Sequence, residues 1–214
     1  MTGSPLKVFL VDDHAVVRAG YRLLLENNPD IEVIAELKSG EEAHQQVLEL
    51  KPDVVIMDLS MPGMGGLEAI KRIKAKSRKV RILVFTMHDN IAFVEHALNA
   101  GASGYITKSS APNVLVKAVQ RVAAGERYID SQLEERLGVQ QTLGKGSPFS
   151  KLSKREFQVF CQFAEGFNAT EIAEDLSLSV KTVANYQTQL KDKLGISSTS
   201  ELVKLALSNG IIQL

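Results

Sequence analysis

Five polar residues stand where short apolar runs end. Asp12 and Asp13 follow the run at 7–11, Asp58 follows 54–57, Thr86 closes 82–86, and Lys108 comes just after 104–106. If these runs are neighbouring parallel strands, the five side chains reach one edge of a sheet. Three carboxylates gathered there repel one another and hold protons more tightly unless something positive sits among them. A hard divalent cation with oxygen ligands meets that need, and Mg²⁺ takes few carboxylates while keeping several waters. Beside such an ion the Asp58 carboxylate can act as a nucleophile toward a phosphoryl group. The Thr86 hydroxyl and the Lys108 ammonium can hydrogen-bond and neutralise the phosphoryl oxygens. A single Asp at a strand end caps the next turn equally well. The set of five, an acid pair and three single residues at four strand ends, points to phosphate.

The elements that must carry these residues are legible as periodicity. Val54-Val55-Ile56-Met57 and Ile82-Leu83-Val84-Phe85 are continuously apolar, as central strands of a parallel sheet covered on both faces are. Strands expected at 7–11, 32–36, 54–57, 82–86 and 104–106 alternate with helical patterns at about 14–27, 40–50, 65–77, 90–100 and 112–124. The last of these has Pro112 near its start and Gly125 just past its end. Five βα units imply an α/β doubly wound five-stranded parallel sheet, flavodoxin-like, with its functional loops at the carboxyl ends of the strands.

Beyond this, a short polar helix is expected at 131–141, and 142–150 reads as a Gly/Ser/Pro-containing linker without periodicity. From Leu152 onward every pattern is helical. Ser153-Lys-Arg-Glu156 and Asn168-Ala-Thr-Glu171 are capping boxes, Ser179 can cap a third helix reaching about 194, and Ser198-Thr-Ser-Glu201 opens a fourth. The expected division is 1–127, a connecting segment with a short helix at 128–149, and a small all-α domain at 150–214. On the third helix Val183, Gln187, Leu190 and Leu194 share one side. Lys181, Ala184, Asn185, Thr188 and Asp192 share the other, with Gln189 at its margin. That face suits a helix-turn-helix seated in a major groove, and it suits a plain solvated surface too.

Val-Asp-Asp-His (11–14), Met-Asp-Leu-Ser-Met-Pro-Gly (57–63), Thr86 and Tyr-Ile-Thr-Lys (105–108) resemble the receiver domain of two-component response regulators over about residues 5–125. Leu-Ser-Lys-Arg-Glu (152–156), Gly166, Glu-Ile-Ala (171–173), Leu176, Lys-Thr-Val (181–183) and Lys-Leu-Gly (193–195) resemble the LuxR-type helix-turn-helix. The whole chain therefore resembles a NarL/FixJ-type regulator. Ser-Pro-Phe (147–149) ahead of Leu-Ser-x-Arg-Glu is similar to the GacA/UvrY-like global-activator branch. The resemblance implies that Asp58 is the phospho-acceptor and that Asp12, Asp13, Asp58 and the backbone carbonyl of Ser60 hold Mg²⁺. It implies that Thr86 and Lys108 sense the phosphate and that Tyr105 is the aromatic switch. Lys181, Thr182, Ala184, Asn185, Thr188 and Gln189 would meet DNA. Its implied partners are a cognate histidine kinase, promoter DNA and a second copy of the chain. Ser109 replaces a common Pro, Ala184 a common Lys and Tyr186 a common His.

Composition excludes some classes. The chain has 214 residues, 44% hydrophobic and 23% charged, as in ordinary globular proteins. No apolar run approaches the roughly 20 residues that cross a bilayer, and Met1–Pro5 does not open a secretory signal, so a cytoplasmic protein without membrane contact is expected. Cys161, among Phe160, Phe163 and Ala164, reads as a buried thiol. His14, His44, His88 and His96 lack zinc-like spacing. His14 reads as a helix-start residue, and His88 as solvated or as near enough to Thr86 to influence phosphate hydrolysis. Met61, Met64 and Met87 are expected to line loop surface and fill gaps.

Net charge is zero, and residues 150–214 hold seven Lys or Arg against seven Asp or Glu. DNA binding must therefore rest on arrangement rather than on basic excess. On the fourth helix Val203 and Leu207 form a second apolar strip, read either as a self-association surface or as overflow core. No metabolic activity is expected beyond phosphotransfer onto the chain itself and slow autodephosphorylation. A receiver-controlled protein adaptor and a phosphorylation-independent DNA binder remain the rival readings.

Overall fold

The computed structural model describes residues 4–142 and 147–212, so linker positions 143–146 lie outside the described residues. The chain forms two compact units. One comprises the chain up to Asp89 together with Ala97–Glu135; the other comprises Asn90–His96 and Arg136–Leu214.

The first unit is built on a six-stranded sheet in the order β2-β1-β3-β4-β5-β6. Its strands are β1 (Leu6–Val11), β2 (Ile31–Leu37), β3 (Val54–Met57), β4 (Arg81–Thr86), β5 (Gly104–Thr107) and β6 (Tyr128–Ile129), and all pair in parallel. Every residue of β3 is buried, as its unbroken apolar sequence requires. Between the strands run α1 (Ala15–Glu26), α2 (Gly40–Leu50), α3 (Gly65–Lys76), α4 (Ile91–Ala100) and α5 (Pro112–Ala123). Local chemistry sets their ends: the Ser39 side chain accepts from Glu42 N at the start of α2, and Pro112 opens α5. The core joins Val8, Leu10, Ile56, Phe85 and Ile106 of the sheet to Leu115, Val119 and Val122 of α5.

Strand order reverses beside β1, which lies between β2 and β3. At such a switch point the connections leave to opposite faces and a crevice opens beyond the strand ends. Asp12 follows β1 and Asp58 follows β3, so the topology itself places both acids at the crevice. The floor is tight, because a Cβ on Gly66 would lie 2.1 Å from the Asp58 carbonyl oxygen and 2.7 Å from Leu59 Cα. Only glycine lets α3 approach the acceptor loop so closely.

The sequence led us to expect five strands; the sixth is a two-residue strand. Tyr128 and Ile129 pair with Gly104 and Tyr105, and Asp130 N donates to Tyr105 O at 3.0 Å. A segment this short has no measurable alternation, so pattern could not reveal it.

The second unit contains most of α6 (Ser131–Thr142), then α7 (Lys154–Ala164), α8 (Ala169–Asp175), α9 (Val180–Leu194) and α10 (Thr199–Ser208). Both anticipated capping boxes form, at Ser153/Glu156 and Asn168/Glu171. Ser179 and Ser198 cap the remaining two helices. Phe157, Phe160, Ile172, Val183, Leu190, Leu202 and Ala206 make the core.

Part of the stretch read as linker belongs to this core. Pro148–Lys151 form a 3₁₀ turn that buries Phe149, whose ring lies 4.8 Å from that of Phe160. From the segment Asn90–His96, Phe93 meets Phe157 edge-on at 4.9 Å. His96 stacks on Phe157 at 4.2 Å and donates from Nε2 to Phe149 O at 3.1 Å. Burial pushes the His96 imidazole down to about 4, opposed by the bond to Phe149 O and reinforced by Lys154.

This burial carries a pH dependence. The unfolded chain takes up its His96 proton near 6.5, whereas the folded chain resists until about 4. Stability is therefore full above the unfolded value and is lost as pH falls through that window, by about 3 kcal/mol. Urea midpoints measured between pH 7 and pH 4 should fall, and His96→Phe should flatten the His-dependent part of that fall.

Candidate functional site

The site grows from the ends of β1, β3, β4 and β5. Backbone bonds fix its loops: Asp12 N donates to Leu37 O at 3.1 Å, Asp58 N to Val11 O at 3.0 Å and Lys108 N to Thr86 O at 2.8 Å. Asp12 and Asp58 are each only 3% exposed. Between them sits the Lys108 ammonium, 2.5 Å from Asp12 Oδ2 and 2.7 Å from Asp58 Oδ2.

The remaining carboxylate oxygens are occupied locally. Asp58 Oδ1 accepts from Leu59 N at 2.6 Å and Ser60 N at 3.3 Å, and Asp12 Oδ1 accepts from His14 N at 2.8 Å. Arg18 Nη1 donates to the Asp12 carbonyl at 2.5 Å. Burial works to lower the Lys108 pKa, but its hydrogen bonds to Asp12 and Asp58 and their charges outweigh this and leave it raised. The ammonium is thus held charged.

Asp13 is less buried, and its Oδ1 lies 3.0 Å from His14 Nδ1 without forming a hydrogen bond. Donor atoms of Asp12, Asp13 and His14 lie within 4.8 Å of one another. The sequence offered no reason to count His14 with the acids. It is the N-cap residue of α1 with no side-chain cap bond, which leaves its ring beside the pair.

Two sequence-derived residues have unusual surroundings. Thr86 is fully buried, and its Oγ1 has no hydrogen-bond partner among the described residues. An unsatisfied buried hydroxyl costs about 1–3 kcal/mol, so this group is poised for an acceptor. Tyr105 is fully buried as well, with its OH donating to the His88 carbonyl at 2.8 Å. Burial first, then Asp58 and Asp89, push its phenol well up.

The His88 ring is not simply solvated: its Nε2 and Ser60 Oγ are hydrogen-bonded at 2.8 Å, joining the loops after β3 and β4. Burial lowers its pKa against the opposing pull of Asp58 and Asp89. Ser60 itself is exposed. Of the loop methionines, Met87 is 70% exposed as expected, whereas Met61 is buried at 4% and packs inward.

In the second unit Val183 and Leu190 are buried, while Lys181, Ala184, Asn185, Thr188, Gln189 and Asp192 are exposed. Thr182 is half-buried and serves the cap, since its N donates to Ser179 Oγ at 3.1 Å and its hydroxyl meets the same atom at 2.8 Å. Val203 and Leu207 are half-buried. The sequence missed what fixes α9: Lys193 Nζ donates at 2.7 Å to Glu156 Oε2, and Glu156 is 2% exposed. The capping box marked Glu156 as a cap; nothing in the spacing joined it to a residue 37 positions away. Arg155 also donates to the Leu176 carbonyl at the turn before α9.

The comparisons with known proteins agree with this geometry. Residues 8–120 match the response regulator receiver domain, and residues 150–206 match the bacterial regulatory proteins of the luxR family. The chain belongs to the receiver-bearing response regulators with a luxR-type helical domain. It is 41% identical to the oxygen regulatory protein NreC of Staphylococcus aureus over 216 residues, covering 97% of this chain and 100% of that protein.

Among solved structures it resembles RcsB of Salmonella enterica serovar Typhimurium bound to promoter P1flhDC with a phosphomimetic. That match has a TM-score of 0.72 and 32% identity over 96% of this chain and 100% of that one. A LuxR-family two-component response regulator from Aurantimonas sp. SI85-9A1 matches with a TM-score of 0.63 and 43% identity, over 65% of this chain and 99% of that one.

Removing the shared ammonium tests the electrostatics directly. Lys108→Met leaves two buried carboxylates facing each other and should cost about 3 kcal/mol at neutral pH. Adding Asp12→Asn should restore a large part of that loss in urea denaturation. Equal losses in the single and double variants would refute the shared-cation account.

Proposed function

We propose that the chain takes a phosphoryl group on Asp58 and in that form binds promoter DNA to regulate transcription. The supporting observation is the Lys108 ammonium lodged between Asp12 and Asp58, beside a buried Thr86 hydroxyl that lacks a partner. In the transfer an Asp58 oxygen forms the new P–O bond as the bond from phosphorus to the donor breaks. The donor atom, a kinase imidazole nitrogen or the oxygen of a small acyl phosphate, leaves with the electron pair. Thr86 and Lys108 can then donate to the phosphoryl oxygens.

The residues present also fit a divalent cation. Asp12, Asp13 and Asp58 carry three negative charges against one on Lys108, and an oxygen of Asp13 lies buried without a hydrogen bond. Asp12, Asp13, Asp58 and the Ser60 carbonyl would hold Mg²⁺, which would supply the counter-charge for an incoming phosphate.

The phosphoryl group adds roughly 1.5 to 2 negative charges. Tyr105, tied to the His88 carbonyl, and His88, tied to Ser60, are the groups through which that charge reaches the loop after β4. The response is a shift between a closed form and a DNA-competent homodimer. Half-buried Val203 and Leu207 on α10 supply the self-association strip. A cognate histidine kinase is the inferred donor, and the cytoplasm, where kinase catalytic sites and promoters meet, is the inferred location. Slow loss of its own phosphate is the one reaction we assign to the protein alone.

Radiolabelled acetyl phosphate with Mg²⁺ should label the wild-type chain. Labelling should disappear in Asp58→Asn and after chelation by EDTA; persistent labelling of Asp58→Asn would move the acceptor elsewhere. Separately, DNA affinity of the full chain should fall with salt, with the modest slope of a surface that neutralises few phosphates. Absence of binding even at low salt would favour the protein-adaptor reading.

A further inference from the structure

The inference concerns which bases α9 reads, and it rests on the DNA-binding reading above. The exposed face of α9 carries Lys181, Ala184, Asn185, Thr188, Gln189 and Asp192. Buried Val183 and Leu190 fix this face outward, and the Glu156–Lys193 pair ties the helix to α7. Guanine is read chiefly by Arg or Lys reaching O6 and N7, and adenine by the paired donor and acceptor of Asn or Gln. Past the first turn the fully exposed residues of this face include no cation, and Lys191, two turns beyond Ala184, is half-buried. The face offers instead two carboxamides, Asn185 and Gln189, one helical turn apart.

The residues beside them select for thymine. Thr188 donates its hydroxyl to the Ala184 carbonyl at 3.2 Å, so it is engaged on the helix's own backbone. With its proton engaged, the Thr188 hydroxyl can only accept, and both Thr188 and Ala184 present a methyl group, the partner of the thymine C5-methyl. Asp192 lies further along the same face and repels phosphate. That leaves the amino-terminal half of α9, with Lys181 available to the backbone, as the part that approaches DNA. The neutral charge of residues 150–214 adds weight: with little excess charge for indiscriminate attraction, selectivity must come from base edges.

We propose that α9 specifies A·T pairs at the centre of each half-site, Asn185 and Gln189 reading adenine and Ala184 and Thr188 packing on thymine methyls. The test is selection from a randomised duplex library with the full-length chain, treated with acetyl phosphate and Mg²⁺. The selected sites should show adjacent A·T pairs, and 7-deazaadenine at those positions should weaken binding about tenfold or more. Asn185→Ala should relax the preference there, lowering the ratio of selected to unselected duplex affinity about tenfold. Asp192→Asn should tighten binding to all duplexes alike.

Selected sites with G·C at those positions, or an unaltered preference in Asn185→Ala, would overturn the base assignment while leaving DNA binding intact. Failure of the wild-type chain to retain any duplex at low salt would instead overturn the DNA-binding reading itself.

Discussion

The charge of the Lys108 ammonium, gripped by two carboxylates from different strands, is the contact on which the rest of the first unit turns. A buried carboxylate left alone is expensive, and two facing each other more so. One ammonium at 2.5 and 2.7 Å from them makes the pair tolerable. Because Asp12, Asp58 and Lys108 follow β1, β3 and β5, this one cation ties three strand ends together. It also leaves these side chains, with Asp13, two charges negative, an imbalance that a divalent ion and a phosphoryl group together can exploit.

The fold supplies what that contact needs. Reversal of strand order beside β1 opens the crevice, and Gly66 lets α3 close its floor against the Asp58 loop. Thr86 and Tyr105 are buried polar residues with contrasting treatment: the Tyr105 hydroxyl is satisfied by the His88 carbonyl, while the Thr86 hydroxyl is left without a partner. A fold tolerates an unsatisfied buried hydroxyl where it serves a ligand. Charge arriving on Asp58 would therefore be felt first at Thr86 and Lys108, then through the Ser60–His88–Tyr105 connections.

The second unit solves a different problem, holding a helix of 15 residues in place within a small domain. Four side-chain caps define its helices, and the Glu156 carboxylate serves twice, as a cap for Ser153 N and as the partner of Lys193. Phe149 extends the aromatic core into what reads as linker, because a single large ring buried beside Phe157 and Phe160 outweighs the polar residues around it. The surface that α9 leaves exposed is polar, and its lysines sit at the two ends of the helix, with Asn185, Thr188 and Gln189 between them.

The sequence alone determined five of the six strands and the longer helices with their side-chain caps, since these follow from periodicities and contacts a few residues long. It also placed Asp12, Asp13, Asp58, Thr86 and Lys108 at strand ends, and Val183 and Leu190 on the inner side of their helix. Only the tertiary structure decided which atoms meet. Lys108 between Asp12 and Asp58, His88 against Ser60 and Lys193 on Glu156 all join elements whose separation depends on strand order and helix packing. The sixth strand and the burial of Phe149 were equally hidden, because burial is a property of the folded neighbourhood. Short-range patterns record what a residue prefers; long-range packing decides what it touches.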